Sequence, residues 1–156
     1  MKIAIGCDHA AFKFKEQVKD FLKDHEIIDV GTNNEESCDF PDFAKEVADR
    51  VSREECERGI LICTTGTGMC VAANKFPGVI ASDFYSNTEE SLWIIKHDRE
   101  HLNSNVLCLS AKFLNMETTK KIIDLFLSTE FQTGERLIRR FNKVKEIEKE
   151  NMKTTS

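Results

Sequence analysis

Five short apolar runs rich in β-branched residues, separated by longer stretches with helical periodicity, constrain this chain more than any other feature. The runs are KIAIG (2–6), EIIDVG (26–31), RGILIC (58–63), GVIAS (78–82) and NVLCLS (105–110). Nearly continuous apolar runs of this length suit strands buried on both faces. Between the first two, Phe14, Val18, Phe21 and Leu22 recur at helical spacing. After the second, Phe43, Val47 and Val51 repeat every four residues, and Pro41 suits a first helical turn. Ile122, Ile123, Phe126 and Leu127 mark another helix. Strands that alternate with helices build βαβ units. The predicted fold is therefore α/β: three layers, with a five-stranded parallel sheet between helices. A last helix is predicted from Arg136 to about Lys149, with Leu137, Phe141, Val144 and Ile147 as its apolar stripe. No strand follows it, so the stripe either covers the parent domain or reaches a partner chain.

At 156 residues the chain is the size of one core. We expect a single domain over 1–150 and a frayed tail over 151–156. No apolar run approaches the roughly 20 residues of a membrane helix. The start, MKIAIGCDH, turns polar so soon that it reads as a strand and not a leader. Six cysteines contain no C-x-x-C pair and read as thiols in a reducing, cytoplasmic setting. A net charge of −5 argues against nucleic acid as a partner but allows one small anion on a local basic cluster.

In an open parallel sheet, ligands bind beyond the carboxyl ends of the strands. Three clusters fall there: Cys7-Asp8-His9, the loop Cys63-Thr64-Thr65-Gly66-Thr67-Gly68, and Ser110 with Lys112. The loop's small residues let backbone N–H groups line an anion site at a helix start. A dinucleotide fingerprint would need glycine where Val71 stands, a Walker loop would need G-K-[ST], and a cysteine phosphatase would need arginine where Met69 stands. The plainer reading is that the glycines only let a helix pack closely. Cys63 precedes that helix, whose positive end favours an anionic sulfur. A thiolate beside N–H donors suits removal of a proton next to a carbonyl; a buried apolar cysteine is the alternative. His97 to His101 match H-x-x-E-H, a metalloprotease pattern, but no third ligand is evident. We expect no metal, one histidine acting as an acid–base group, and the other facing solvent. Arg136 and Arg140 share a helix face and suit a phosphate, or else pair with surface acids such as Glu135.

GCDHAAFKFK, ILICTTGTGMCVAANKFPG, the segment from His101 to NVL, and the late F-x-T-G-E-R-x3-R resemble the type B ribose-5-phosphate isomerases. That family includes allose- and galactose-6-phosphate isomerases, and the resemblance spans about residues 2–147. It implies a Rossmann-like or flavodoxin-like aldose–ketose isomerase of the non-oxidative pentose phosphate branch, interconverting ribose 5-phosphate and ribulose 5-phosphate. By the resemblance, Cys63 is the base and Thr65, with the loop from Thr64 to Gly68, holds the enediolate. His101 opens the sugar ring with Asp8, and His9, Arg136 and Arg140 take the phosphate. Lys112 can supply a positive charge where the family has arginine. The family works without a cofactor, as homodimers with sites at the interface, which implies that the last helix reaches the partner. This chain departs from the family's pattern at Thr64, Leu102, Ser110, Lys112 and Leu137. The rival readings are a six-carbon sugar-phosphate isomerase and a non-catalytic module that binds a small anion.

Overall fold

The computed structural model describes residues 1–152. Strands and helices alternate as β1 (Lys2–Cys7), a 3₁₀ turn (His9–Ala11), α1 (Phe12–Phe21), β2 (Glu26–Asp29), α2 (Phe40–Ser52) and β3 (Arg58–Cys63). They continue as α3 (Thr67–Ala73), β4 (Ala81–Phe84), α4 (Glu89–Leu102), β5 (Val106–Ser110), α5 (Met116–Ser128) and α6 (Glu135–Asn151). The five strands are parallel in the order β2-β1-β3-β5-β4.

Side chains alternate across the sheet as the pleat requires. Ile3, Ile5, Ile60, Ile62, Leu107 and Leu109 pack with Val18, Ile95, Ile122 and Phe126, so α1, α4 and α5 form one outer layer. Ala4, Leu61, Cys63, Val106 and Cys108 pack with Val47, Val51, Met69 and Ala73, so α2 and α3 form the other. The fold is the three-layer α/β arrangement expected.

Two boundaries differ from the expectation. The fourth strand starts later than the run 78–82, because Gly78 takes φ +75° and the Val79 N–H bonds back to the Phe76 carbonyl. That turn uses up the front of the apolar run, and β4 begins at Ala81. The second strand ends at Asp29 and not at 31, although the Val30 N–H still reaches the Ile5 carbonyl at 2.9 Å. Asn151 closes α6, so the tail expected over 151–156 does not begin there; its residues from 153 on lie outside the described residues.

One ion pair under α1 holds the loop that leads to α2. Lys15 is 1% exposed, and its Nζ donates to both carboxylate oxygens of Asp29 at 2.8 and 2.7 Å and to the Thr32 carbonyl at 2.9 Å. Lys19 donates to the same carboxylate at 2.7 Å, as does the Gly31 N–H at 3.0 Å. Burial pushes the Asp29 carboxyl up, but these donors outweigh it and hold it below its ordinary value. A carboxylate depressed in this way stabilises the fold above its unfolded value of 3.8, and the contribution is lost as pH falls through the lower folded value. Lys15→Met should cost about 3 kcal/mol, the low end for a broken buried pair, because Asp29 keeps Lys19. Urea titration at neutral pH checks the cost. The same titration in acid should show the variant losing less stability than the parent as pH falls below about 4.

Candidate active site

The register of the sheet brings the three sequence clusters to one edge. Cys7 pairs with Ile62, and Cys63 pairs with Ser110, so Asp8, Thr64 and Ala111 leave the sheet side by side. Hydrogen bonds continue past the strand ends: Ala111 N–H to the Cys63 carbonyl at 2.9 Å and Lys112 N–H to the Thr64 carbonyl at 3.2 Å. The Ser110 hydroxyl donates to the Thr64 carbonyl at 2.7 Å and accepts from the Phe113 N–H at 3.1 Å. The loops after β3 and β5 are thus tied into one rim.

Cys63 sits inside this rim, 5% exposed. Its Sγ accepts the Gly66 N–H at 3.1 Å. That contact needs the turn made by Gly66, which takes φ +85° and lies so close to β5 that a Cβ would stand 3.1 Å from the Leu109 carbonyl carbon. The loop then enters α3, whose first amides have no carbonyl of their own helix to reach. The side chains of Thr64 and Thr65 are exposed on this rim, and Thr67 Oγ1 donates to Asp83 Oδ2 at 2.9 Å. Gly68 lies under the ring of Phe40, where a Cβ would come within 3.0 Å of the ring.

Asp8 is buried beside Cys63's strand, and its Oδ1 has no hydrogen-bond partner among the described residues. His9 Nδ1 accepts the Cys38 N–H at 3.2 Å, with the Cys38 Sγ 3.6 Å away. A neutral His9 ring then carries its proton on Nε2, which leaves a donor for an anion. Lys112 is exposed, its Nζ 5.5 Å from the centre of the Phe113 ring. The remaining cysteines are placed as structure. Burial pushes the Cys7 thiol up to about 12, raises Cys56, and raises Cys108 well above the ordinary value. Cys70 donates to the Ala81 carbonyl at 3.2 Å, at the far end of β4.

The other expected site residues are not here. His101 lies in the last turn of α4, which runs back against the strands and finishes at Leu102, close to the start of β5. Three residues after that helix end, the Asn105 carbonyl accepts the Gly59 N–H at the start of β3. Arg136 and Arg140 lie on α6, which follows a segment tied to α4 by Gln132 N–H to the Glu100 carbonyl at 3.0 Å. Cys63 and the trio His101, Arg136 and Arg140 therefore occupy opposite edges of the sheet, about 15 Å apart by strand rise. Both arginines are exposed, and among the described residues neither forms an ion pair with Glu135 or another acid. His97 does not simply face solvent: its ring lies half-buried between Trp93 and His101, with centroid separations of 4.8 and 3.9 Å. On α6, Leu137 is buried and Phe141 packs 5.0 Å from Phe131, while Val144 and Ile147 stay exposed. The Glu148 carboxylate accepts the Gly78 N–H of the same chain at 2.8 Å. The helix is thus seated at home, with half of its stripe uncovered.

Sequence reasoning missed Cys38, Phe40 and Asp83 as neighbours of the site. Cys38 and Phe40 stand in the segment SCDFPDF, whose only local signal is a helix start. Asp83 sits near the end of the fourth strand, where no glycine-rich or charged motif marks it.

The model of the Ribose/Galactose Isomerase family matches residues 3–144. The chain belongs to that family. It is 38% identical to the ribose-5-phosphate isomerase B of Escherichia coli over 85% of this chain and 87% of the relative. The solved ribose-5-phosphate isomerase B of Clostridium thermocellum is 41% identical and superposes with a TM-score of 0.88, covering 96% of this chain and 99% of that one. The Mycoplasma genitalium ribose-5-phosphate isomerase B, solved with bound ribulose-5-phosphate, is 39% identical with a TM-score of 0.86, over 96% and 97% of the two chains.

The departures from the family pattern now have places. Ser110 is a fully buried tie between the two loops, Leu137 is the buried anchor of α6, and Thr64 and Leu102 are surface side chains. Gly66→Ala should destabilise the fold by about 1–2 kcal/mol, the cost of forcing a side chain into left-handed backbone. It should also move the N–H away from Cys63, so activity should fall further than stability. Urea midpoints and turnover measured on the same preparation check both.

Proposed function

We propose that this chain is an aldose–ketose isomerase that interconverts ribose 5-phosphate and ribulose 5-phosphate, with Cys63 as the base. The observation that carries the reading is the Gly66 N–H on Cys63 Sγ, in a rim that also holds His9, Asp8 and the first amides of α3. A binding module needs an anion site, but it has no use for a sulfur held in this way.

The reaction runs in three steps. His101, with Asp8, takes the proton of the C1 hydroxyl and returns one to the ring oxygen as the C1–O4 bond breaks. The open aldehyde then loses its C2 proton to the Cys63 thiolate, and the electron pair forms the C1–C2 double bond while negative charge collects on O1. Thr65 and the amides of the loop from Thr64 to Gly68, Thr67 included, hold that oxygen; such a donor is worth roughly 3 kcal/mol of barrier. The Cys63 thiol finally returns a proton to C1, and the O2 hydroxyl passes its proton to O1, leaving the ketone at C2. His9, Lys112, Arg136 and Arg140 take the phosphate.

Cys63 and His101 stand on opposite edges of one chain, so the working unit is a homodimer in which one copy supplies Cys63 and the other supplies His101, Arg136 and Arg140. The exposed Val144 and Ile147 fit a last helix that also meets the partner. We place the enzyme in the cytoplasm, where its six thiols stay reduced. Among the described residues no helix is long and apolar enough to cross a membrane.

Cys63→Ala should fold normally and lose about 10²–10⁴-fold or more in turnover, the contribution of a positioned general base. Alkylation of Cys63 should inactivate the protein, and substrate should protect it. A Cys63→Ala protein with near-normal turnover would overturn the reading. Arg140→Ala should chiefly raise KM, as loss of uniform binding does, and should weaken competition by inorganic phosphate. No step calls on a metal, so a chelator should leave the rate intact.

The shared site has its own check. Inactive Cys63→Ala and His101→Asn proteins, unfolded together and refolded as a mixture, should regain about a quarter of the parent rate, because half the dimers then carry one intact site. No recovery would place both residues of each site in one chain.

A further inference from the structure

His101 stands at the end of α4, and two sets of contacts fix it. The backbone after it is held by Arg99, which is 2% exposed and has no acidic partner among the described residues. The Arg99 guanidinium donates to the Ser104 carbonyl at 2.5 Å, to Asn103 Oδ1 at 3.0 Å and to the Thr129 carbonyl at 3.1 Å. Asn103 closes the helix in left-handed backbone, φ 52°. These bonds leave the side chain of His101 free to turn.

The side chain is held by a column of rings. Trp93, His97 and His101 are spaced four apart, so all three lie along one face of α4. The His97 ring stacks on His101 with centroids 3.9 Å apart and planes tilted by 38°, and Trp93 covers its other side at 4.8 Å and 28°. Trp93, the only tryptophan of the chain, is 64% exposed. Neither Trp93 nor His97 makes a hydrogen bond through its side chain among the described residues, so the stack is what these two rings do. Offset and tilted ring contacts are attractive, so the stack holds one face of the His101 imidazole.

We propose that Trp93 and His97 are positioning residues that hold the His101 imidazole in the orientation that opening of the sugar ring requires. The proposal rests on His101 being the ring-opening residue. Its consequence is selective. Ribose 5-phosphate is a furanose and must be opened before Cys63 can act. Ribulose 5-phosphate has its O5 blocked by phosphate and cannot form a furanose. Exchange of its C1 hydrogen with solvent needs only the Cys63 half of the chemistry.

The experiment compares the two reactions in the full-length protein. One readout is kcat/KM for ribose 5-phosphate; the other is deuterium uptake at C1 of ribulose 5-phosphate in heavy water. Alanine favours helix, so His97→Ala and Trp93→Ala should fold. Each should lower kcat/KM for ribose 5-phosphate about tenfold, as a misplaced catalytic group does, while deuterium uptake stays within about twofold of the parent. His97→Phe keeps a ring in the column and should retain most of the activity towards ribose 5-phosphate. Equal losses in both reactions, no loss in either, or a His97→Phe as impaired as His97→Ala would overturn the proposal. His101→Asn separates the two ideas. If it is impaired on ribose 5-phosphate and His97→Ala is not, the column is dispensable and the ring-opening assignment stands. If His101→Asn turns over ribose 5-phosphate at the parent rate, the assignment itself is wrong, and the positioning role falls with it.

Discussion

Strand β3 lies in the middle of the sheet, hydrogen-bonded to β1 on one side and β5 on the other, and everything at the candidate site depends on that double pairing. A parallel strand buried on both faces cannot slip by one residue without turning Leu61 and Cys63 from the α2–α3 face to the α1–α5 face. Register therefore places the Cys63 sulfur on the side where α3 begins. The same pairing sets Ser110 beside Cys63 and Asp8 beside the end of β3. Two loops that are distant in sequence, after β1 and β5, thus start within one strand spacing of the loop after β3.

Beyond the strand ends, the rim is kept in shape by contacts that leave little freedom. Gly66 turns where any larger residue would meet the backbone of Leu109, and that turn delivers its N–H to the sulfur. The Ser110 hydroxyl serves as an extra tie between the loops after β3 and β5. On the outer side, Lys15 and Asp29 hold the start of the loop that carries Cys38 to His9. A fully buried lysine thus fixes a loop whose end donates a hydrogen bond to His9 Nδ1 and so sets the tautomer of that ring.

The geometry also divides the chemistry. Cys63, Thr65, Asp8, His9 and Lys112, all expected to meet the substrate, lie at the carboxyl edge of the sheet, whereas His101, Arg136 and Arg140 lie at the amino edge, on α4 and α6. Within one chain they do not meet. The division gives α6 a double role, because Leu137 and Glu148 seat it on its own domain while Val144 and Ile147 remain bare. Leu137, one of the departures from the family pattern, faces inward, where an aliphatic side chain serves packing.

Much of this was legible in the residues alone. Five apolar runs indicate the number of strands, because runs so short and rich in β-branched residues suit strands, and the three central ones are buried on both faces. Helical spacing of Phe14, Val47 and Ile122 assigns the covering layers, and the C-T-T-G-T-G loop with GCDH identifies the family. The start of β4 was misplaced because the apolar run does not reveal that Gly78 is spent in a turn. The expectation that one histidine of the pair acts and the other faces solvent overlooks Trp93, four residues before His97, which makes the three residues a stacked column. Local pattern determines which segments are strands and helices, since burial and periodicity act over a few residues. Which side chains meet is decided by register and helix direction, which act across the whole sheet. Only the tertiary structure could therefore set Cys38 against His9 and part His101 from Cys63, because those distances depend on where the chain goes between them and not on what it carries at either place.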